Sequence, residues 1–389
     1  MVFDSRLVLF LTVSTLLVGS VHLYLYRRLV RDTLRRKLWL RLGMVAMTLL
    51  AVGMLSARLA SMVLPRSLLT PFVTGAWLWM GLAIYLFLFF LLTDAFWVGR
   101  RLVGRFRRAV PTPVDESRRL FVARAVAGSA AALSGGTVSF GYWRAFHPPV
   151  VKELSLRLRG LPKALEGFSL VLLSDIHVGG VIEQKFMAEL VGRVNALSPD
   201  LVAVTGDLVD GDVPTLGPAV AELRKLQAPH GAWFVTGNHE YYSGDVEWAD
   251  ALPGLGLQVL RNRRVVVGDA GASFDLVGVD DWRGRGKSRY DLAQATFGRD
   301  PERPAVLLAH QPLGFRDAVA RGIGLQLSGH THGGQFFPGT LVVPLVYEHS
   351  AGHYTHREGH LYVSRGTGFW GPPLRVGSPP EIVKLSLLA

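Results

Sequence analysis

Phe168–Gly180 reads FSLVLLSDIHVGG. From Phe168 to Leu173 the run is apolar except for Ser169, the pattern of a strand covered on both faces, and it leads into Asp175-Ile176-His177. The same plan recurs downstream. LVAVTGD ends on Asp207, AWFVTGN on Asn238, FDLVGVD on Asp280, AVLLAH on His310 and IGLQLSGH on His330, and LYVSRG closes the series at Gly366. Upstream, Leu154, Leu156 and Leu158 alternate with Ser155, Arg157 and Arg159, the period of a half-buried strand. Polar stretches of helical character, among them Gln184–Ala196 and Leu216–Gln227, lie between the runs. Alternation of β and α elements over about 235 residues predicts one α/β domain.

The chemistry stands where the runs end. In α/β sheets the carboxyl ends of neighbouring strands deliver loop residues to one crevice. Asp175, His177, Asp207, Asn238, His239, His310, His330 and His332 are therefore expected in one place. Carboxylate and carboxamide oxygens mixed with imidazoles suit Mn, Fe or Zn better than copper(I), and the imidazoles are too many for calcium. The chain has no cysteine. That excludes disulfides, Cys-ligated zinc or iron–sulfur sites, a thiol nucleophile and an acylated cysteine anchor.

Toward the N-terminus the texture changes. Of 389 residues, 49% are hydrophobic and only 19% charged, and the mean hydropathy is +0.29, too oily for an ordinary soluble enzyme. The net charge of +12 divides unevenly. Before Val150 there are 19 Lys and Arg against 5 Asp and Glu, and from Val150 onward 23 against 25. A domain of charge −2 lacks the cationic footprint that nucleic acid requires, so nucleic acid is not an expected partner.

Leu7–Tyr26 and Pro71–Thr93 carry no formal charge and are long enough to cross ~30 Å of hydrocarbon as helices. Leu42–Ala57 can span if Arg41 and Arg58 snorkel, and Ala125–Trp143 is a milder candidate. The expected organisation is a membrane domain over residues 1–149, with spans at 7–26, 42–57, 71–93 and 125–143, followed by a globular domain over 150–389. Arg27–Arg41, Arg58–Thr70 and Asp94–Arg119 carry seven, two and seven Lys or Arg, which puts the first and third loops inside and everything after Trp143 outside. The expected location is thus the cell membrane, multi-pass, with the globular domain extracytoplasmic. SRRLFVAR, Ser117–Arg124, is similar to a twin-arginine export signal; the plainer reading makes Arg118 and Arg119 inside anchors like the other five.

Taken together and in order, Asp175-Ile176-His177, Gly206-Asp207, Gly237-Asn238-His239-Glu240, His310 and Gly329-His330-Thr331-His332 resemble the calcineurin-like metallophosphoesterase superfamily, from Leu154 to the C-terminus. SDIHVGG, GDLVDGD, GNHEYY, LLAHQP, SGHTHGGQ and VSRGTGFWGPPLRVGSPPEIVKLSL are similar in wording to its bacterial membrane-anchored branch. The resemblance implies an α/β/β/α sandwich with a dinuclear metal site at strand carboxyl ends. It implies that Asp175, His177, Asp207 and His332 hold one ion, and that Asp207 bridges to a second held by Asn238, His310 and His330. The ions would be divalent or trivalent Mn, Fe or Zn. The chemistry so implied is a water between the ions that would become hydroxide near neutral pH and attack phosphorus in line. His239, which the resemblance leaves off the metals, would protonate the departing oxygen or stabilise the transition state, and Asp210 would orient it.

The serine/threonine protein phosphatases of the superfamily carry arginines where this chain has Gly211 and Thr236, which counts against phosphoprotein substrates. Arg283, Arg285, Arg289 and Arg365 are left as candidate substitutes. The expected function is a membrane-anchored phosphohydrolase acting on a phosphodiester or pyrophosphate, lipid-linked or in the cell envelope. Two alternatives stay open: a lipid-linked nucleotide-sugar pyrophosphatase at the cytoplasmic face, and a catalytically inactive metal-binding scaffold at the membrane. A transporter is disfavoured, because the spans hold almost no ionisable residue besides His22 and Arg124. His349, His353, His356 and His360 are read as a turn or hairpin, since Gly352 and Gly359 break any helix through them. GRGK, Gly284–Lys287, lacks the context of a phosphate loop.

Overall fold

An uncharged segment with no water to bond must satisfy its backbone internally, and the N-terminal segments accordingly fold as helices. The computed structural model describes residues 5–60, 65–106, 115–269 and 271–389. Helices α1 (Ser5–Tyr26), α2 (Lys37–Ala60), α3 (Arg66–Phe106) and α4 (Glu116–Phe146) each contain one of the four uncharged segments. Among the described residues, three stretches are long and apolar enough to cross a membrane: Lys37–Ala57, Leu68–Gly104 and Glu116–Phe146. Helix α3 runs to 41 residues, so Asp94–Phe106, expected to begin a loop, is helical. Arginine and leucine are strong helix formers, and hydropathy marks only the oily part of such a helix. Inside this unit polar groups find one another: the Tyr24 hydroxyl donates to Asp94 at 2.6 Å, Arg28 pairs with Asp94 at 3.3 Å, and the Trp79 indole N–H donates to His22 at 2.8 Å.

The chain divides into two compact units, one running to Tyr142 and including Gly371–Leu374, the other Trp143–Trp370 and Arg375–Ala389. Among the described residues, every strand belongs to the second unit. Its first half comprises β1 (Val150–Arg157), β2 (Phe168–Leu173), α5 (Gln184–Ala196), β3 (Leu201–Thr205), α6 (Val213–Val220), β4 (Ala232–Val235), α7 (Glu240–Ser243), α8 (Asp245–Ala251) and β5 (Gln258–Val259). Then come β6 (Arg263–Asp269), β7 (Ala272–Gly278), α9 (Leu292–Thr296), β8 (Ala305–Leu308), α10 (Phe315–Ala320), β9 (Leu325–Ser328), α11 (Gly339–Val346), β10 (Gly352–His356), β11 (Gly359–Val363) and β12 (Glu381–Leu388).

Two six-stranded sheets form, in the orders β1-β12-β2-β3-β4-β5 and β10-β11-β9-β8-β7-β6. Strands β2, β3, β4 and β5 run parallel in one, and β7, β8, β9 and β11 in the other. Alternation along each strand sorts side chains into layers. Leu170, Leu172, Leu201 and Ala203 meet Phe274, Leu276, Val306 and Leu325 between the sheets. Val171, Leu173, Val202 and Val204 instead pack against Met187, Leu190, Val191 and Val194 of α5. On the far side Val277 and Leu307 meet Leu292, Ala295 and Ala318 of α9 and α10. The result is the α/β/β/α sandwich.

Local corrections are small. Helix α6 begins at Val213 rather than Leu216, because the Asp212 side chain accepts the Thr215 N–H at 3.0 Å and Pro214 suits a first turn; Ala221–Lys225 then tighten into a 3₁₀ turn. The four C-terminal histidines fall on or beside the β10–β11 hairpin, with His353 stacked on His360. The end of GRGK runs into a single 3₁₀ turn, Gly286–Ser288, with no helix to cradle a phosphate.

Candidate metal centre

Strands β2, β3, β4, β8 and β9 end side by side and release their loops at one edge. Five of the residues they present, Asp175, His177, Asp207, His330 and His332, sit at positive φ between 50° and 72°. Non-glycine residues pay for that conformation, and such outliers gather where function requires a fixed geometry. Two glycines let the loops close in. A Cβ on Gly237 would collide with the Asp207 carboxylate, and one on Gly329 with that of Asp175.

All nine candidate residues converge. His177 Nε2 lies 3.2 Å from His332 Nε2, and His332 Nε2 lies 3.4 Å from Asp175 Oδ1. His310 Nε2 lies 3.2 Å from His330 Nδ1 and 3.3 Å from Asn238 Oδ1. Between these groups stands one oxygen, Asp207 Oδ2, at 3.2 Å from His310 Nε2 and 3.9 Å from both His177 Nε2 and His239 Nε2. The other Asp207 oxygen accepts the His239 backbone N–H at 2.8 Å. Asp210 accepts from His239 Nδ1 at 2.5 Å and from His177 Nδ1 at 3.2 Å, so it also touches the first group. Asp175–His177–His332 and Asp207–His310–His330 are each close enough to hold a cation, and so is His177–Asp210–His239.

Do these residues fit metal ions? Ring nitrogens facing one another at 3.2 Å cannot both offer lone pairs without a positive charge between them. Three imidazoles present their outer nitrogen to an acceptor: His310 Nδ1 to the Thr205 carbonyl at 2.7 Å, His177 Nδ1 to Asp210, and His330 Nε2 to the Tyr347 hydroxyl at 3.0 Å. With a proton on that side, the inner nitrogen keeps the lone pair a metal needs. His332 differs, its Nδ1 facing the Arg375 guanidinium at 3.2 Å.

The electrostatics agree. Burial, then the charge of His310, pushes the His330 pKa down to about 3; burial, then Arg375, holds His332 well below its usual range, so both stay neutral. Burial opposes ionisation of Asp207, yet His310, His177 and His239 outweigh it and keep that carboxyl well below the usual range. The pocket stabilises positive charge beside Asp207, and the donor set fits two divalent cations.

Three supporting residues escaped sequence reasoning. Glu240, fully buried, accepts the backbone N–H groups of Asp207 (3.0 Å), Leu208 (2.8 Å), Val209 (3.3 Å) and Gly237 (2.6 Å), joining the loops after β3 and β4. Burial, then the Asp207 charge, pushes its pKa up to about 7. Arg375, also fully buried, donates to the carbonyls of Arg365 (2.8 Å), Gly368, His332 (3.3 Å) and Ser378 (3.3 Å). Tyr347 holds His330. Glu240 is visible in the GNHE wording, but nothing in the sequence marks the other two. Of the candidate clamps, Arg365 is 3.6 Å from Glu381, Arg283 lies over the Tyr242 ring, and Arg283 and Arg285 line a cavity with Tyr241, Tyr242, Asp245 and Ser288 beside His239. Arg289 is exposed.

The calcineurin-like phosphoesterase family profile matches residues 168–334. A "Transmembrane protein with metallophosphoesterase domain" from Bos taurus is 39% identical over 305 residues, covering 74% of this chain and 67% of its own length. An "Uncharacterized metallophosphoesterase" from Helicobacter pylori is 38% identical over 255 residues, covering 64% of this chain and 67% of its own. The chain thus spans 67% of the length of each of these two relatives. Among solved structures, a dimetal phosphatase from Danio rerio is 13% identical with a TM-score of 0.37, covering 57% of this chain and 93% of that one.

Proposed function

Because this chain belongs to the calcineurin-like phosphoesterase family, we propose that residues 150–389 form a catalytic domain, tethered by a membrane domain over residues 1–149, which hydrolyses a phosphodiester or pyrophosphate of a lipid-linked or cell-envelope molecule. The chain is a metal-dependent phosphoesterase and a membrane protein. The observation that carries the proposal is the position of Asp207 Oδ2, a single oxygen within 3.2–3.9 Å of imidazoles from both ligand groups.

We assign Asp175, His177 and His332 to one ion, Asn238, His310 and His330 to the other, and Asp207 to both. Mn, Fe and Zn all suit this donor set. Two cations held by these residues would supply an activated water at neutral pH and polarise the phosphoryl oxygens. The chain's own residues do the rest. Asp210 fixes Nδ1 of His239, so Nε2 is the atom left to hand a proton to the departing oxygen. Gly211 and Thr236 offer no cation where phosphoprotein phosphatases use arginine; the Gly211 carbonyl accepts the Trp248 indole N–H, and the Thr236 hydroxyl donates to Asp280. This favours a diester or pyrophosphate. The full set of ligands argues against an inactive scaffold.

The test is turnover by the purified full chain in detergent. Bis(p-nitrophenyl) phosphate should be hydrolysed faster than the monoester, chelation should abolish the reaction, and Mn, Fe or Zn should restore it. Undiminished turnover after chelation would sink the proposal.

Orientation follows from loop charge. Seven, two and seven Lys or Arg in the segments that separate successive uncharged stretches favour a catalytic domain outside, and SRRLFVAR supports the bacterial membrane-anchored, twin-arginine-type branch. Reporters fused after Ala389, one active only outside and one only inside, should read outside. An inside-only signal would make the cytoplasmic lipid-linked pyrophosphatase the first choice.

A further inference from the structure

Phe336–Tyr347 reads FFPGTLVVPLVY, twelve residues without a charge. In a globular unit such a stretch should be core, as are the apolar faces of α5, α9 and α10. Instead it forms α11, none of whose residues is buried. Leu345 is 85% and Val346 71% exposed, and Leu341, Val342 and Phe337 are exposed as well. Trp370, another exposed aromatic, makes paired hydrogen bonds at 2.9 Å to Gln335, the residue just before this segment, and its ring lies 5.5 Å from that of His239. An apolar patch this contiguous marks a surface that is covered when the protein works.

What covers it is written in the same chain. Helices α2, α3 and α4 are long and apolar enough to cross a bilayer, and only His147, Pro148 and Pro149 separate α4 from β1. A lipid surface is therefore always at hand. We propose that α11, with Phe337 and Trp370, is an interfacial membrane-docking element that lies in the bilayer surface and holds the metal centre against it. The proposal rests on the membrane-tethered phosphoesterase reading and deepens it by naming the substrate class: phosphoesters presented at the headgroup level of a bilayer. An apolar element of this kind binds through the area it buries in the interface, with aromatics at the headgroup boundary. The connection to the site is direct. Helix α11 follows the His330–His332 loop, and Tyr347, the residue after the helix, hydrogen-bonds His330 at 3.0 Å. Docking thus fixes the segment that carries His330, His332 and Tyr347.

The absence of cysteine makes the test clean. Leu341→Cys, Leu345→Cys and, as reference, Glu166→Cys at the amino end of β2 are each made in the full chain. The variants are labelled with an environment-sensitive fluorophore and reconstituted into phosphatidylethanolamine–phosphatidylglycerol vesicles. At 341 and 345 the emission should shift to the blue, be quenched by doxyl-labelled lipid, and lose quenching by aqueous iodide; at 166 it should do none of these. Labels at 341 and 345 that iodide reaches as readily as at 166 would overturn the proposal. So would labels shielded from iodide yet untouched by doxyl lipid, since protein would then cover the patch. Metal-dependent hydrolysis of a soluble diester is measured on the same samples. Its loss would count against the phosphoesterase reading, whereas the label result decides where α11 lies.

Discussion

Asp207→Ala should reduce kcat by at least about 10³-fold and lower the bound metal to one ion or less per chain, the largest loss of any single ligand change. The reason is positional. Asp207 Oδ2 serves both groups of imidazoles, whereas Asp175, for example, stands in one group only, with His177 and His332, and accepts the His330 backbone N–H. Removing it takes away the negative charge that offsets repulsion between two neighbouring cations. It also leaves the His239 backbone N–H without its acceptor. Turnover of bis(p-nitrophenyl) phosphate, read beside metal content, checks this. A variant that retains two ions and turns over within tenfold of the native chain would remove Asp207 from the centre of the site.

His239→Ala should behave differently. Both ions should remain, while kcat falls about 10²–10⁴-fold, the usual value of a positioned acid. His239 is partly exposed and lies at the rim, its ring edge-on to Tyr242 and Trp370. The fall should be smallest for p-nitrophenolate, which leaves without a proton, and largest for an alkyl alcohol. Asp210→Asn should reproduce part of the loss, because the ring would lose the carboxylate at 2.5 Å that sets its orientation. Metal content decides the matter: if it falls in step with kcat, His239 is a ligand, as its place in the His177–Asp210–His239 cluster would also allow.

The sandwich was legible because strand cores are written as short apolar runs that stop on polar residues. Each run named from the sequence is the heart of a strand, from FSLVLL in β2 to LYV in β11. Gln184–Ala196 is helical over that same span because its apolar residues, Met187, Leu190, Val191 and Val194, fall on one face. Ends were harder. Helix α3 outruns its oily stretch, since helicity continues through Arg100 and Arg101 after hydropathy has ceased to mark it. Helix α6 starts early because a capping aspartate and a proline, not hydrophobicity, decide where it begins. In the candidate metal centre, the residues with donor atoms announce themselves by type and spacing. The ones that hold backbone do not: Arg375 meets His332 across 43 residues of sequence, and only the folded chain brings them together.

Glu240 illustrates what this means for reading variants. Its carboxylate touches none of the assigned ligand side chains, yet four N–H groups from two loops converge on it. Glutamine would keep the shape and spoil the polarity, setting an amide NH₂ against groups that also donate. The lesion would present as poor metal retention in a protein whose every ligand is intact. Sequencing the ligands of a weakened homologue would then find nothing amiss, because the fault lies in the clasp rather than in the hand.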